Sequence, residues 1–392
     1  MTILKEHFDI AVCIPSKDEG ATISNVVSIV DAGLREYFPE KKSIIINIDS
    51  HSSDDTCAHF LSTPSVTEKI SIKESRNSKL GKGINLHKFF SLAEQMSVEC
   101  GVLIDGDLES ITSKWIFQLI QPVLADNVDF VTPLYSRHKY DATITNQLCF
   151  PLLYGKWGVA VRQPIGGEFA FSRKYISSAL NELNQLTDTQ NSVLPYVDAF
   201  GIDIFLTTHA LRNQFSIHQS YLGQKLHRFR EISTLKNMFS DVAAALLTQL
   251  AKEQTGEPPK SYSLDLLEAT PAFETDIVID GETSKAHLMT EHSKLGNAAL
   301  KIYQKLSSIA KPQSSPSTTD VLLMINSDEW IRVLAYLLKN PVEPKSLSDT
   351  LSALYLLFIG RLNEQFRQVA NLNYQESERL TLTQAAQLRE RL

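Results

Sequence analysis

Short apolar runs of strand length alternate with helical patterns over the first 130 or so residues of the chain. A helical pattern with apolar positions from Ile23 to Leu34 follows the first run. The strand-like runs cover residues 8–15, 44–48, 70–72, 102–104 and 130–132. Strands that alternate with helices predict an α/β fold, with a mostly parallel sheet covered by helices on both faces.

The C-terminal part of the chain is patterned for helices. From about Leu235 onward the apolar positions follow helical spacing. One long helix is indicated by Leu347, Leu351, Leu354, Phe358, Leu362, Phe366 and Val369. We therefore predict an α/β domain over residues 1–235 and a helical region over residues 236–392. The apolar face of the long helix is typical of an intramolecular core, and a contact between subunits is the alternative.

Polar side chains gather where the predicted strands end. They follow the first, second and fourth strands and comprise Lys17, Glu19, Asp49, Ser50, Asp105 and Asp107, with Pro15 at the end of the first strand. Open parallel sheets bind their ligands at the carboxyl ends of the strands, so these clusters predict a ligand site at one edge of the sheet. Each turn taken alone is weak evidence, because such residues also serve ordinary turns.

The pair of carboxylates Asp105 and Asp107 is suited to a metal. Two acids spaced by one glycine can hold a hard divalent cation, Mg²⁺ or Mn²⁺, and leave ligand positions for a diphosphate. A further ligand is needed to complete the shell, and His227 is the candidate. The alternative is an Asp-Gly turn with Asp107 near a helix start.

Lysine and glycine residues form a second candidate binding loop at residues 78–83. Gly81 and Gly83 allow close approach of the backbone, and Lys82 brings charge for a phosphate, although the loop lacks the spacing of an ATP-binding P-loop. At the first two strand ends, hydrogen-bonding side chains are suited to reading a base and a ribose. Turn chemistry is the alternative in each case.

Two further acids, Glu168 and Asp203, lie in sequence surroundings that indicate a functional role. Glu168 follows the glycine pair Gly166 and Gly167, which lets the backbone approach a ligand such as a sugar closely. Asp203 lies in the apolar sequence Phe200-Gly201-Ile202-Asp203-Ile204, where an unpaired charge is costly and a functional partner is indicated. A plain turn and a helix cap are the respective alternatives.

Composition and charge exclude several classes of function. With 38 basic and 45 acidic side chains the net charge is -7, so the broad positive field that binds nucleic acid is missing. The four cysteines are far apart and typical of reduced thiols inside a cell. The N-terminus lacks the pattern of a secretory signal, and no apolar stretch is long enough for a bilayer. We expect a cytoplasmic protein with no nucleic-acid partner and no membrane span.

Taken in order, these motifs resemble those of the retaining mannosylglycerate synthases, and the related glucosyl-3-phosphoglycerate synthases share much of the pattern. The resemblance covers about residues 8–250, and the helical tail is similar to that of the longer mannosylglycerate synthases. The motifs are Pro15-x-Lys17-x-Glu19, Gly81-Lys82-Gly83, Asp105-x-Asp107, Gln163-Pro164-x-Gly166-Gly167-Glu168, Gly201-Ile202-Asp203 and His227-Arg228.

This resemblance implies the GT-A nucleotide-sugar fold and a metal-dependent glycosyltransferase. Asp107 and His227 would be the ligands of Mg²⁺ or Mn²⁺. Glu168 would hold the transferred sugar, and Asp203 would lie near the reaction centre to orient the sugar or the acceptor hydroxyl. The donor-binding residues would be Pro15, Lys17, Glu19, Asp49, Ser50, Lys82, Asp105, Gly167 and Arg228.

The resemblance also bears on the two substrates. Arg137, Asp141 and Thr145 match the glycerate-binding pattern of mannosylglycerate synthases, with Arg137 pairing with the carboxylate. The phosphoglycerate enzymes carry an arginine where Thr143 stands and an asparagine where Phe229 stands. Free D-glycerate is therefore the preferred acceptor, and 3-phosphoglycerate is the alternative. The donor would be GDP-mannose, GDP-glucose or UDP-glucose, with GDP-mannose slightly preferred, and the product would be a glycosylglycerate compatible solute.

Two other functions compete with this interpretation. A nucleotidyltransferase that makes sugar nucleotides also uses a metal and a diphosphate site at strand ends. A catalytically inactive sugar-nucleotide-binding protein, with the helical region as its working surface, is the alternative from another class. The presence of Asp107, Asp203 and His227 counts against an inactive protein.

Overall fold

A computed structural model describes residues 6–73, 81–226, 232–252, 281–312 and 322–392. The strands are β1 (Ile10–Ser16), β2 (Ser43–Asp49), β3 (Glu68–Lys73), β4 (Cys100–Leu103), β5 (Phe130–Ser136), β6 (Phe169–Ser172) and β7 (Ile217–Gln224). The first eight α-helices are α1 (Ile23–Tyr37), α2 (Thr56–Ser62), α3 (Lys82–Gln95), α4 (Ser113–Ala125), α5 (Phe150–Trp157), α6 (Arg173–Asp188), α7 (Leu194–Val197) and α8 (Ile202–Arg212).

The C-terminal part contributes helices alone among the residues that the structure describes. They are α9 (Ile232–Ala251), α10 (Gly281–Ser293), α11 (Asn297–Ala310), α12 (Ser327–Lys339), α13 (Leu347–Val369) and α14 (Tyr374–Arg391). A π-helix, Thr145–Cys149, precedes α5, and a 3-10 turn, Pro344–Ser346, precedes α13. None of the helices described combines the length and the hydropathy that crossing a bilayer requires.

Backbone contacts divide the described residues into two compact units. The first contains those within Met1–Tyr135 and Gln163–Glu231, and the second contains those within Ser136–Arg162, Ile232–Glu253 and Lys260–Leu392. The predicted domains, residues 1–235 and 236–392, stay a prediction, since these units group residues by contact and not by function.

The first unit is built on a sheet with the strand order β3-β2-β1-β4-β6-β5-β7. β1 pairs in parallel with β2 and β4, and β2 pairs in parallel with β3. β6 runs antiparallel to β4 and β5. The register aligns Ser16 with Asp49 and Cys13 with Leu103, so the carboxyl ends of β1, β2 and β4 lie at one edge. The predicted α/β fold with a mostly parallel sheet and C-terminal helices is confirmed.

The central strands β1 and β4 form the core because they are buried on both faces, as parallel strands covered on both sides must be. Every residue of β1 is buried. Val12 and Val102 belong to one apolar cluster with α1 and α4. On the other face, Gly101 leaves room for Phe89 of α3 and Ile176 of α6, whose side chains would lie 3.3 Å and 2.9 Å from an added Cβ.

The second unit is organised around α13. This helix covers Leu347–Val369, the span that the apolar spacing predicts, and it packs against α9, α10 and α11. Most of its apolar face is buried. Buried polar groups also connect this unit: the Trp330 indole donates to the Gln147 carbonyl at 2.6 Å, and the Arg361 guanidinium donates to the Gln147 side chain at 2.9 Å. A contact between subunits through these helices stays a prediction.

Candidate active site

The turn after β2 is held by the carboxylate of Asp49, which is fully buried. The Ser16 hydroxyl donates to Asp49 Oδ1 at 3.2 Å, and the Ser52 hydroxyl donates to the same oxygen at 2.5 Å. The Ser52 amide donates to Oδ2 at 3.0 Å. Asp49 therefore shapes the turn through both of its oxygens, and a direct contact with a donor nucleotide stays a prediction.

The neighbouring polar residues connect the ends of β1 and β2. Lys17 Nζ lies 3.2 Å from the carbonyl oxygens of both Ser50 and His51 and donates to them, although half of its side chain is exposed. The buried Ser50 hydroxyl and the Asn85 amide are hydrogen-bonded at 2.9 Å. The structure thus brings Lys17 and Ser50 together, as the sheet edge predicts, and leaves the Lys17 side chain accessible to a ligand.

The turn after β4 lies beside the turn after β1. A Cβ added to Gly106 would lie 3.4 Å from the Pro15 carbonyl oxygen and 3.4 Å from Glu19 Cγ. The Thr22 hydroxyl donates to the Gly106 carbonyl at 2.7 Å. Pro15 and Glu19 are thereby placed against the Asp105-Gly106-Asp107 turn, as expected for one shared site.

The centre of the site is an ion-paired lysine. Lys82 Nζ lies 2.8 Å from Asp105 Oδ1 and 3.1 Å from Asp203 Oδ2. Burial by itself lowers the pKa of Lys82, but the carboxylates of Asp105 and Asp203 outweigh it and hold that pKa above its ordinary value. Asp203 Oδ1 is buried and has no hydrogen-bond partner in the part of the chain that the structure describes. A substrate hydroxyl is the kind of group that satisfies such an oxygen.

The pKa values of Asp105 and Asp203, the two acids beside Lys82, are shifted in opposite directions. Burial raises the pKa of Asp105, but the positive charges of Lys82 and Lys225 outweigh it, so the pKa lies below its ordinary value and the group stays ionised. Burial raises the pKa of Asp203, and Lys82 opposes the rise without cancelling it. The loss of Lys82 would therefore leave two largely buried carboxylates without the cation that they share, with Lys225 remaining near Asp105.

Gly81 and Gly83 are needed for packing against the protein's own backbone. An added Cβ would lie 2.3 Å from the Asp198 carbonyl oxygen at Gly81 and 1.9 Å from the Val197 carbonyl oxygen at Gly83. The Gly83 amide donates to the Ala199 carbonyl at 3.2 Å. The expected close approach at these glycines is thus made by residues 197–199, and the role of Lys82 in phosphate binding stays a prediction. Residues 74–80 of the loop lie outside the described residues.

Glu168, like Asp49, is an acid with 0% exposure. Lys225 Nζ lies 2.9 Å from its Oε1 and 2.8 Å from its Oε2, and the Tyr135 hydroxyl donates to Oε2. Burial raises the pKa of Glu168 to about 7, against the opposing effect of Lys225. The Glu168 side chain is therefore held in one orientation, and burial makes its ionisation unfavourable.

Gly167 allows these groups to meet. Its φ is +98°, and an added Cβ would lie 2.4 Å from Asp105 Oδ2 and 3.0 Å from Lys225 Nζ. A left-handed φ favours glycine, and the close carboxylate leaves no space for a side chain. Gly166 also has no space for a side chain, because Pro133 Cγ would lie 2.1 Å from an added Cβ.

The sequence analysis missed two residues of this cluster, Lys225 and Tyr135. Lys225 lies two positions before His227 in the same motif, so its place in the chain was the available signal. Its partner Glu168 is 57 residues away in the sequence, and no spacing rule connects the two. Tyr135 has the pattern of an ordinary strand residue, because its hydroxyl partner Glu168 is 33 residues away in the sequence.

The predicted metal ligands are only partly described. Asp107 follows β4 in the same turn as Asp105 and is partly exposed. His227 and Arg228 lie outside the described residues, as does Phe229. Their roles stay predictions. Among the residues described, His7, Asp9 and Glu99 are close enough together for a metal, but they precede β1 and β4, at the opposite end of these strands from Asp105.

The predicted acceptor residues lie in the second unit. Arg137 Nε and Nη2 each lie 2.7 Å from Asp141 Oδ2, and Thr145 begins the π-helix. Lys139 Nζ donates to the Ala370 and Leu372 carbonyl oxygens at 2.7 Å and 3.0 Å, at the end of α13. The structure therefore brings Arg137 and Asp141 together and shows that Lys139 caps a helix.

Comparison with known proteins finds one relationship at the level of sequence. The chain is 26% identical over 278 residues to glucosyl-3-phosphoglycerate synthase of Mycolicibacterium smegmatis, which covers 67% of this chain and 84% of that protein. No protein-family model matches the chain.

Among solved structures, the chain is similar to glucosyl-3-phosphoglycerate synthase from Mycobacterium tuberculosis. One such structure contains Mn²⁺, UDP-glucose and phosphoglyceric acid, and another contains Mg²⁺ and UDP. Each has 25% sequence identity, a TM-score of 0.48, and coverage of 63% of this chain and 81% of its own. The sequence comparison confirms that the chain is related to the glucosyl-3-phosphoglycerate synthases, as its ordered motifs implied.

Proposed function

We propose that this protein is a metal-dependent, retaining hexosyltransferase that moves a hexosyl group from a nucleotide diphosphate sugar onto the hydroxyl of a glyceric acid. The observation that carries the proposal is the position of Lys82 between Asp105 and Asp203 at the carboxyl ends of the strands. The sequence relationship to glucosyl-3-phosphoglycerate synthase supports the same class of reaction.

Each residue of the cluster has a role in this chemistry. Lys82 neutralises negative charge that builds on the departing diphosphate. Asp203, whose Oδ1 is buried without a partner among the described residues, accepts a hydrogen bond from the sugar or from the attacking hydroxyl. Glu168 accepts hydrogen bonds from hydroxyls of the transferred sugar. As the bond between the anomeric carbon and the diphosphate oxygen breaks, the acceptor hydroxyl bonds to that carbon on the same face and gives its proton to the departing diphosphate, so the α configuration is retained.

The divalent cation would be held by Asp107 and His227, with Asp105 helping to hold the donor. Carboxylate oxygen and imidazole nitrogen are suitable ligands for Mg²⁺ or Mn²⁺. When bound, the cation supplies further positive charge at the diphosphate. The nucleotide would contact Pro15, Lys17, Glu19, Asp49, Ser50, Gly167 and Arg228.

Free D-glycerate is the acceptor that the described contacts favour. Arg137 is the cation for the acceptor carboxylate, and Asp141 already occupies one edge of its guanidinium group. Lys139 is engaged at the end of α13. Burial, with a contribution from Lys139, lowers the pKa of His138, so its ring is neutral near pH 7. With Thr143 in place of an arginine, this segment offers little positive charge for an additional phosphate.

3-Phosphoglycerate is the second candidate, because the related protein of Mycolicibacterium smegmatis is named for it. That name also favours glucose as the donor sugar, whereas the resemblance to the mannosylglycerate synthases slightly favours mannose. Both sugars fit the same proposed chemistry. The reaction would take place in the cytoplasm and yield a glycosylglycerate.

The test is to incubate the protein with Mg²⁺ or Mn²⁺, a panel of GDP and UDP sugars, and D-glycerate or 3-phosphoglycerate, and to identify products by mass spectrometry. We expect a hexosylglycerate. A hexosylated phosphoglycerate would replace free glycerate as the acceptor and leave the reaction class intact. Release of pyrophosphate from a sugar phosphate and a nucleoside triphosphate would indicate a nucleotidyltransferase instead. Binding of sugar nucleotides without turnover would indicate an inactive protein.

Substitutions of Asp107 and Arg137, each with a comparison variant, separate the roles within this assay. Asp107→Ala should abolish transfer while thermal melting is unchanged, and Asp188→Ala, which removes an exposed acid at the end of α6, should keep full activity. Arg137→Ala should raise the KM for glycerate far more than the KM for the donor. Arg137→Lys should restore little, because a lysine cannot bind a carboxylate through two parallel hydrogen bonds.

A further inference from the structure

Lys225 lies at the meeting point of three parts of the first unit. Its ammonium nitrogen is 2.7 Å from the Gly166 carbonyl oxygen, 2.8 Å from Glu168 Oε2 and 3.5 Å from Asp105 Oδ2. Gly166 and Glu168 belong to the loop before β6, Asp105 belongs to the turn after β4, and Lys225 itself follows β7. The ammonium group also lies 5.4 Å from the centre of the Tyr135 ring.

The surroundings of Lys225 differ from those of Lys82. An ammonium group has three donors, and at Lys225 a carbonyl and the Glu168 carboxylate take short hydrogen bonds while Asp105 provides a longer ion pair. Only 7% of its side chain is exposed. Lys82 instead bridges the two acids, Asp105 and Asp203, which flank the proposed position of the diphosphate. Lys225 thus contacts a carbonyl and two carboxylates of the protein, whereas Lys82 is the cation that the proposed function assigns to the diphosphate.

We propose that Lys225 is a positioning residue that holds Glu168 and Asp105 at a fixed separation, so that Glu168 faces the hexosyl group of the donor. This inference rests on the proposed function, since it assigns Glu168 to the sugar. Lys225 then acts on the sugar half of the donor through Glu168 and leaves the nucleotide half to other residues.

The geometry around Glu168 explains why a cation is needed there. Tyr135 donates to Oε2, and Lys225 donates to both oxygens, so the two side chains together fix the plane of the carboxylate. Gly167, with its φ of +98°, lets Lys225 and Asp105 lie directly beside the backbone that precedes Glu168. A neutral side chain in place of Lys225 would leave a buried acid free to turn away from the sugar.

The test compares Lys225→Met with Lys225→Arg and with a matched control, Lys69→Met. Lys69 belongs to the same unit, is partly buried, and donates to the Phe60 and Thr63 carbonyl oxygens at the end of α2, outside the site. We expect Lys225→Met to lower kcat by roughly 100-fold, because a displaced carboxylate misplaces the reacting sugar. Lys225→Arg should recover part of this loss, and Lys69→Met should keep the wild-type kcat.

Calorimetric titration provides a readout that does not depend on turnover. The dissociation constants of UDP, GDP and their hexosyl derivatives are measured with Mn²⁺ present. In Lys225→Met the nucleoside diphosphates should lose little affinity, because Lys82 still holds Asp105 at 2.8 Å. The sugar nucleotides should bind about tenfold more weakly, a loss that corresponds to about one hydrogen bond. An equal loss for both ligand types would overturn the proposal in favour of a structural role.

A double-mutant cycle with Glu168→Gln decides whether Lys225 acts through Glu168. The double variant should have about the same kcat as the worse single variant, since both changes remove one interaction. Multiplicative losses would overturn the proposal.

The same measurements distinguish a failure of the proposed function from a failure of the role of Lys225. If the wild type transfers no hexosyl group but Lys225→Met still changes the ratio of the two dissociation constants, the transferase proposal fails and the role of Lys225 stands. If the wild type is active and this ratio is unchanged, Lys225 alone is wrongly assigned.

Discussion

The buried acid Glu168 should make the protein less stable as the pH rises, and Glu168→Gln should remove this effect. Burial raises the pKa of Glu168 from 4.5 to about 7 in the folded protein. Between these two values the unfolded chain releases the proton while the folded protein keeps it. The folded state therefore binds more protons, and its free energy of unfolding falls with increasing pH across this window.

The size of the effect follows from the shift. A change from 4.5 to about 7 corresponds to about 2.5 pKa units and, at 1.36 kcal/mol for each unit, to about 3 kcal/mol. A protonated glutamate and a glutamine have the same shape and no charge. The two proteins should therefore differ by less than about 1 kcal/mol near pH 5, and the variant should be more stable by about 3 kcal/mol at pH 8.

Urea unfolding followed by circular dichroism at several values between pH 5 and pH 8 measures this difference. Glu291→Gln is the control: burial raises the pKa of Glu291, but hydrogen bonds from Lys236 and Lys294 outweigh it and hold the pKa below its ordinary value. Glu291 is therefore ionised in both states over this range, so the difference between that variant and the wild type should be nearly constant. A pH-independent difference for Glu168→Gln as well would refute the reasoning.

Three further substitutions test other parts of the structure. Lys82→Met leaves two buried carboxylates without their shared cation and should cost about 3–5 kcal/mol in urea unfolding and nearly all hexosyl transfer; full activity would contradict the assignment. Gly167→Ala forces a side chain against Asp105 at a left-handed φ, and it should lower kcat at least roughly 100-fold, whereas wild-type kinetics would show that the loop adapts. Trp330→Phe removes the buried hydrogen bond to Gln147; it should lower stability by about 1–3 kcal/mol in thermal unfolding without changing turnover, and an unchanged melting temperature would argue against that bond.

Local patterns predicted the parts of the molecule that depend on local physics. The strand runs, the helix from Ile23 and the long helix from Leu347 to Val369 all follow from the period of the apolar positions. The meeting of Pro15, Glu19 and the Asp105 turn follows from a general property of parallel sheets.

Contacts between distant segments could not be predicted in the same way. Lys225 and Glu168 are 57 positions apart, and only the antiparallel insertion of β6 between β4 and β5 brings this acid to the site. Gly81 and Gly83 are a second example of this limit. Glycine at these positions indicates that another group approaches the backbone closely, but the sequence does not tell whether that group is a ligand or the protein itself.

The close fit of Gly81 and Gly83 against residues 197–199 has a consequence for the engineering and the divergence of this protein. The first turn of α3 carries Lys82, and residues 197–199 lead to Asp203. The two backbones pack directly against each other, with no space for a side chain at Gly81 or Gly83. A chimera that takes one segment from a relative and keeps the other would combine mismatched surfaces. Transplanting both segments together should preserve this backbone packing, so Lys82 and Asp203 should be exchanged together with their segments.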